Sequence, residues 1–247
     1  MRKTGFSLLE LSIVVAIIAL LVSSVVVSRK MVENQKLKTV INEYQKFSIA
    51  ANSFKLQYEQ YPGDFNKAAD FFTGLTNGDG DGLIEYDSTS KESWLAWKEL
   101  VLAGGINGDF SGSGVDSGHG STASANVPAT LFHNMGCWNF LSHADSGIFT
   151  SLDMQYNVNI LSVGHRWFDN PCVGELFLPN QAYIIDNKID DGIANDGNVR
   201  GMGGQQAPAV SGSAGSTSIS TSCHTSGVYQ RSLKTVECIL HFNFDDN

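Results

Sequence analysis

Asn77, Asp79 and Asp81 set three side-chain oxygens at alternate positions of the stretch Asn77-Gly78-Asp79-Gly80-Asp81-Gly82. Oxygen ligands at that spacing converge on a calcium ion when the backbone turns sharply, and Gly82 permits the turn. The Leu83 carbonyl and Glu85 would complete the shell, so the expected Ca2+ site is Asn77, Asp79, Asp81, Leu83 and Glu85. Ser88 stands at the twelfth position from Asn77, where an EF-hand has a bidentate glutamate, so only the first part of such a loop is present. A solvated turn of Asx and Gly residues has the same composition and stands as the alternative. Asp186, Asp190 and Asp191 form a second acidic cluster, diluted by Lys188 within it and placed near a helix C-terminus that disfavours added negative charge.

No catalytic constellation assembles. Asp116-Ser117-Gly118-His119-Gly120 lacks the glycines two residues either side of the serine that a nucleophile elbow requires. There is no His-Glu-x-x-His and no phosphate-binding loop, and the glycines at 78, 80 and 82 lack the strand before and the helix after that a dinucleotide site needs. The chain is therefore expected not to be an enzyme, with His133, His143, His165, His224 and His241 at the core edge or the surface. A formal charge of -9 argues against a nucleic-acid partner, whose phosphates would need Lys and Arg.

The elements that must position these residues begin with an unusual N-terminus. Met-Arg-Lys-Thr-Gly precedes a run from Phe6 to Val27 that is apolar except for Ser7, Glu10, Ser12, Ser23 and Ser24. As a helix the run spans about 33 Å, close to the roughly 30 Å hydrocarbon core of a bilayer. Arg2 and Lys3 hold its start in the cytoplasm, with Arg29 and Lys30 opposing that bias. A cleaved secretory signal and an ordinary signal anchor fit the segment as well. Glu10 separates the readings, because a carboxylate one turn inside an apolar span costs about 2.5 to 3.5 kcal/mol unless it is paired, and neither alternative supplies a partner.

A basic leader ending in Gly5, followed by Phe6-Ser7-Leu8-Leu9-Glu10-Leu11 and an unbroken apolar run, resembles the processing signal of type IV pilins and type II secretion pseudopilins. The resemblance implies cleavage between Gly5 and Phe6 by a prepilin peptidase, N-methylation of Phe6, and pairing of Glu10 with the terminal amine of a neighbouring subunit during assembly. The proline that many pilins carry late in this helix is absent, with Val27 in about that place. Tyr61-Pro62-Gly63-Asp64, the 77–82 loop, Trp97 to Ala103 and the 185–192 stretch resemble, in the same order, a group of large bacterial prepilin-type proteins. Calcium loops also occur in pseudopilins. The implied partners are other pilin or pseudopilin subunits, the peptidase and an inner-membrane assembly platform. The implied location is the bacterial inner membrane, with a single pass and a periplasmic C-terminal domain that joins a pilus or pseudopilus.

No Gly or Pro interrupts the chain between Phe6 and Tyr61, and all but Gly5 of the 25 glycines lie beyond. Leu37, Ile41, Tyr44, Ser48, Ala51, Phe54 and Tyr58, widened by Val40, Phe47 and Ala50, form one stripe of a helix that Pro62-Gly63 ends. A dimeric coiled coil fits the stripe less well than a sheet laid along it. The expected organisation is a leader (1–5), a membrane or filament-core helix (6–28), its amphipathic continuation (29–61) and an exported domain (62–247). The expected fold class is α+β, a pilin-like long helix on a small antiparallel sheet with long loops. Helices are predicted near Lys91–Ala103, with Trp94 and Trp97 in the core, and from Pro179 to Ile189. Strands are predicted at Thr130–His133, Gly147–Met154, Asn157–Val163 and, from the alternating pattern, Val236–Phe244. Residues 107–126 and 205–222 read as surface loops.

Four cysteines allow three connectivities. Short-range closure, and the C-terminal staple many pilins carry, favour Cys223–Cys238 and Cys137–Cys172. These readings make a structural subunit of a type IV pilus or type II secretion pseudopilus the expected function. The alternative is a membrane-anchored exported binding protein or adhesin at a filament tip.

Overall fold

A computed structural model describes residues 7–86, 91–114, 120–142, 158–166, 171–204 and 222–245. Gly5 and Phe6, Ser88, His143 and the predicted 147–154 strand lie outside these residues. The first element, α1 (Leu8–Tyr58), is a single 51-residue helix, about 77 Å long at 1.5 Å per residue. It stops at Glu59 in the left-handed conformation (φ 63°), whose N–H donates to Lys55 O at 2.8 Å. Short helices α2 (Ala68–Phe71) and α3 (Glu92–Leu102) follow, then strands β1 (Gly136–Ser142) and β2 (Asn159–His165), and helix α4 (Pro179–Ile189). Strand β3 (Val199–Gly203), the hairpin β4 (His224–Thr225) and β5 (Val228–Tyr229), and β6 (Cys238–Asn243) complete the order.

Four strands form one antiparallel sheet in the order β1-β2-β6-β3. Its register aligns Trp138, Val163 and Leu240 in one row and Phe140, Leu161, Phe242 and Val199 in the next. This apolar face receives the second half of α1. Tyr44 stacks on Phe242 at 4.6 Å between ring centroids, and Phe47 meets Trp138 edge-on at 5.7 Å and Trp97 at 5.0 Å. The stripe predicted from sequence is the covered one: Leu37, Val40, Ile41, Phe47, Ala50, Ala51 and Phe54 are buried, and Tyr44, Ser48 and Tyr58 partly so. Trp94 and Trp97 are fully buried. The chain is thus α+β, a long helix laid on a small antiparallel sheet.

Several local expectations are corrected. Thr130–His133 is not a strand. Ala129 makes one isolated bridge to Cys137, and the Thr130 N–H donates to Gly136 O across a turn that leads into β1, an element the sequence did not announce. The alternation at the C-terminus implies a half-exposed strand, yet β6 is central and buried on both faces, with His241 at 0% exposure between Ser162 and Arg200 in the sheet register. Because both faces of the sheet are covered at β6, His241 has no solvent to face. Part of the glycine- and serine-rich 107–126 stretch is interior: Ser121 is buried, accepts from Trp94 Nε1 and donates to Asn139 Oδ1. Cys137 lies beside Cys172 and Cys223 beside Cys238, with Cα–Cα distances of 5.7 and 5.0 Å, and both pairs are disulfide-bonded.

Candidate functional site

The N-terminal end of α1 is held by a reciprocal cap. Ser7 Oγ accepts from the Glu10 N–H at 3.2 Å, and Glu10 Oε2 accepts from the Ser7 N–H at 2.8 Å. Glu10 therefore has a partner within its own chain, which sequence reasoning did not supply. That partner is a neutral donor, so the carboxylate charge stays uncompensated by it. Burial on α1 begins only at Leu37, and every earlier side chain described is exposed, Leu8 at 88% and Leu20 at 70% among them. The helix is long and apolar enough to cross a membrane, and its apolar window is not buried against the domain.

Where the helix meets the domain, a second glutamate does a different job. Glu43 is 9% exposed and accepts three hydrogen bonds, from Thr130 Oγ1 at 2.6 Å, Leu131 N at 2.8 Å and Trp138 Nε1 at 2.9 Å. It locks α1 to β1 and to the turn before it. Sequence reasoning missed this residue, although its place three after Val40 and four before Phe47 puts it on the buried stripe.

The 77–85 loop sits at the far end of the same helix. Asn77 Oδ1 accepts from the Ala69 N–H at 2.8 Å and so caps the turn of α2. Asp64, which the sequence reading left out, stands with the aspartates of the loop. One carboxylate oxygen from each of Asp64, Asp79 and Asp81 lies within 4.8 Å of the other two, and Asp79, Glu85 and Glu92 form an overlapping group. Asp79 and Asp81 are exposed, and each accepts from the N–H two residues on, of Asp81 at 3.1 Å and Leu83 at 2.8 Å. Asp64 is 1% exposed, and its Oδ2 accepts from Gly82 N at 3.0 Å while Oδ1 is buried with no hydrogen-bond donor.

Buried Glu92, from the first turn of α3, shapes the loop by accepting from Asp79 N and Glu85 N, both at 3.1 Å. Glycine is required at position 78, because a Cβ there would lie 2.3 Å from the Gly63 carbonyl oxygen. Asn159 ties the loop to the sheet, accepting from Ile84 N at 2.8 Å and donating to Gly82 O at 2.9 Å. Burial, with the charges of Asp81 and Asp79 adding to it, pushes the Asp64 carboxyl up to about 7 against the opposing Gly82 and Gly80 N–H groups. Burial likewise lifts Glu99, which accepts from Gly63 N, to about 8. Burial and a hydrogen bond with the Glu85 carboxyl raise Glu92 as well.

The second cluster is arranged differently. Asp186, Asp190 and Asp191 also bring oxygens within 4.8 Å of one another. Its buried member, Asp186, has a donor on each oxygen, Gly192 N on Oδ1 and Tyr229 Oη on Oδ2, while Val199 N donates to Asp190 and Ile193 N to Asp191. This group joins α4 to β3 and β5. Compared with known proteins, the chain matches no family model, no curated protein and no solved structure.

Proposed function

We propose that this protein is a structural filament subunit, a minor pilin or pseudopilin of a type IV pilus or type II secretion pseudopilus. One observation carries the reading: a single unbroken helix packs its second half on the domain, while the described side chains of its apolar first half, from Leu8 to Val27, stay exposed. An apolar cylinder of that length is stable only where lipid or other apolar helices surround it. A bilayer before assembly and neighbouring subunits after it provide both environments in turn. Glu10 fits that exchange, since a carboxylate in such surroundings needs a positive partner and the amine of an adjacent mature chain is one. The long helix laid on a small antiparallel sheet and the two disulfides agree with the same role, in which the chain would cross the bacterial inner membrane once and carry its C-terminal domain in the periplasm.

Intact-mass and N-terminal peptide analysis of membrane-derived protein tests it. The expected chain begins at methylated Phe6, and a mature terminus at Val25 would instead mean ordinary secretion. Deletion then separates the two machines: loss of a cargo's export marks a pseudopilus, and loss of surface fibres or twitching marks a pilus.

A further inference from the structure

We propose that the carboxylates of Asp64, Asp79 and Asp81 bind one calcium ion, which clips the chain leaving α1 to the loop in front of α3. The three residues come from two separated segments, and Asp64 is absent from the ligand set that loop spacing alone suggests. The fold brings them together because Gly78 lets the loop lie against the Gly63–Asp64 backbone. One oxygen from each carboxylate lies close enough to the other two for a single ion to touch all three. A set of protein carboxylates suits calcium, whereas magnesium keeps most of its own waters.

Asp64 supplies the independent observation. It is 1% exposed, lies with the two exposed aspartates, and its Oδ1 makes no hydrogen bond, the Gly80 N–H standing near the carboxyl without bonding it. A buried carboxylate oxygen lacking a donor is costly, and carboxylates as neighbours make it more so. The partner this surface calls for is a cation. Among the described residues the one ion pair, Lys98 to Asp109, does not involve this group. Exposed Asp79 and Asp81 leave the outer side open for the ion to enter and for water to complete a six- to eight-oxygen shell. Glu92 is a positioning residue here, because both of its oxygens already accept loop N–H groups. Through Asn159 the ion would also steady the start of β2. Asp186, the buried member of the other group, has a donor on each of its oxygens and carries no such inference.

The site does not depend on the filament reading and is testable on the full chain in detergent. After EDTA treatment, equilibrium dialysis against calcium should return about one ion per chain, and millimolar calcium should raise the unfolding midpoint far more than millimolar magnesium. Asp79→Asn with Asp81→Asn alters only exposed groups and should weaken calcium binding at least about tenfold. Asp64→Asn should weaken it as much, while Asn77→Ala should leave it unchanged, which separates this ligand set from the one loop spacing suggests. Calcium that does not bind at millimolar concentration, that binds the Asp79/Asp81 double variant as tightly as the parent, or that magnesium matches would overturn the proposal and leave a hydrogen-bonded turn.

Discussion

The two halves of α1 share a backbone and differ in what surrounds them. From Leu8 to about Val27 the described side chains are exposed and, apart from Glu10 and three serines, apolar on all sides, Ile13 at 51% and Val22 at 59%. From Leu37 onward most apolar residues keep to one stripe, buried under the sheet and α3, with Ile49 and Leu56 outside it and exposed. The absence of Gly and Pro carries one helix through both regions, so helix formation does not depend on what covers it. Coverage instead follows the distribution of side chains around the helix. The two glutamates make the same contrast: Glu43 is satisfied by three donors within the chain, whereas Glu10 has only the neutral cap N–H.

If the halves are independent, substitutions should act very unequally on the domain. Phe47→Ala, between Trp97 and Trp138, should cost about 3 to 5 kcal/mol in denaturant unfolding of the full chain in detergent, followed by tryptophan fluorescence. Ile17→Ala should change it by no more than about 0.5 kcal/mol. Equal losses would break the comparison.

The disulfides belong wholly to the covered region. Replacing Cys137 and Cys172 by serine opens a closure of 35 residues, worth about 4 kcal/mol in the chain-entropy account. Doing the same to Cys223 and Cys238, 15 apart, should cost about 3 kcal/mol, with insertion into membranes unchanged. Non-reducing peptide mapping that joined Cys137 to Cys238 would contradict the pairing itself.

Next come the two glutamates. Glu43→Ala strands the Trp138 indole, the Thr130 hydroxyl and the Leu131 N–H, and should lower domain stability by about 3 kcal/mol. Glu10→Ala should leave the unfolding curve in place while blocking incorporation into filaments, read by fractionation alongside filament pull-down. Unchanged incorporation would mean that Glu10 is not the docking group.

The smallest effect is a pH slope confined to the domain. Burial, helped by the charge of Glu237, pushes the Glu175 carboxyl from its ordinary 4.5 up to about 7. The folded state then holds a proton that the unfolded state releases, so stability present below about pH 4.5 is lost as pH rises through 7. Other raised carboxyls act in the same direction. The check is therefore the difference between the parent and Glu175→Gln, which should grow over that interval and stay level above it.

Much of the molecule was legible because it rests on local rules. The long helix, its stripe, α3 and α4 follow from periodicity and from breakers at their ends, and the α4 bounds are the predicted ones. Strands β1 and β3 were not legible, since Gly136–Ser142 and Val199–Gly203 lack a clean two-residue alternation and gain their identity only by pairing. The interior place of Ser121 was hidden for a related reason, because a glycine- and serine-rich stretch reads as surface until a tryptophan finds its hydroxyl.

By itself the sequence determined the continuous helix, its apolar first half and the acidic composition of the 77–85 loop, because each depends on neighbours along the chain. Only the tertiary structure decided that Glu43 is a latch, that His241 is interior, that Asn77 caps α2 and that Asp64 faces Asp79 and Asp81. Those assignments depend on residues far apart in sequence, and what brings them together is the close approach of backbone at Gly78 and the packing of α1 on the sheet.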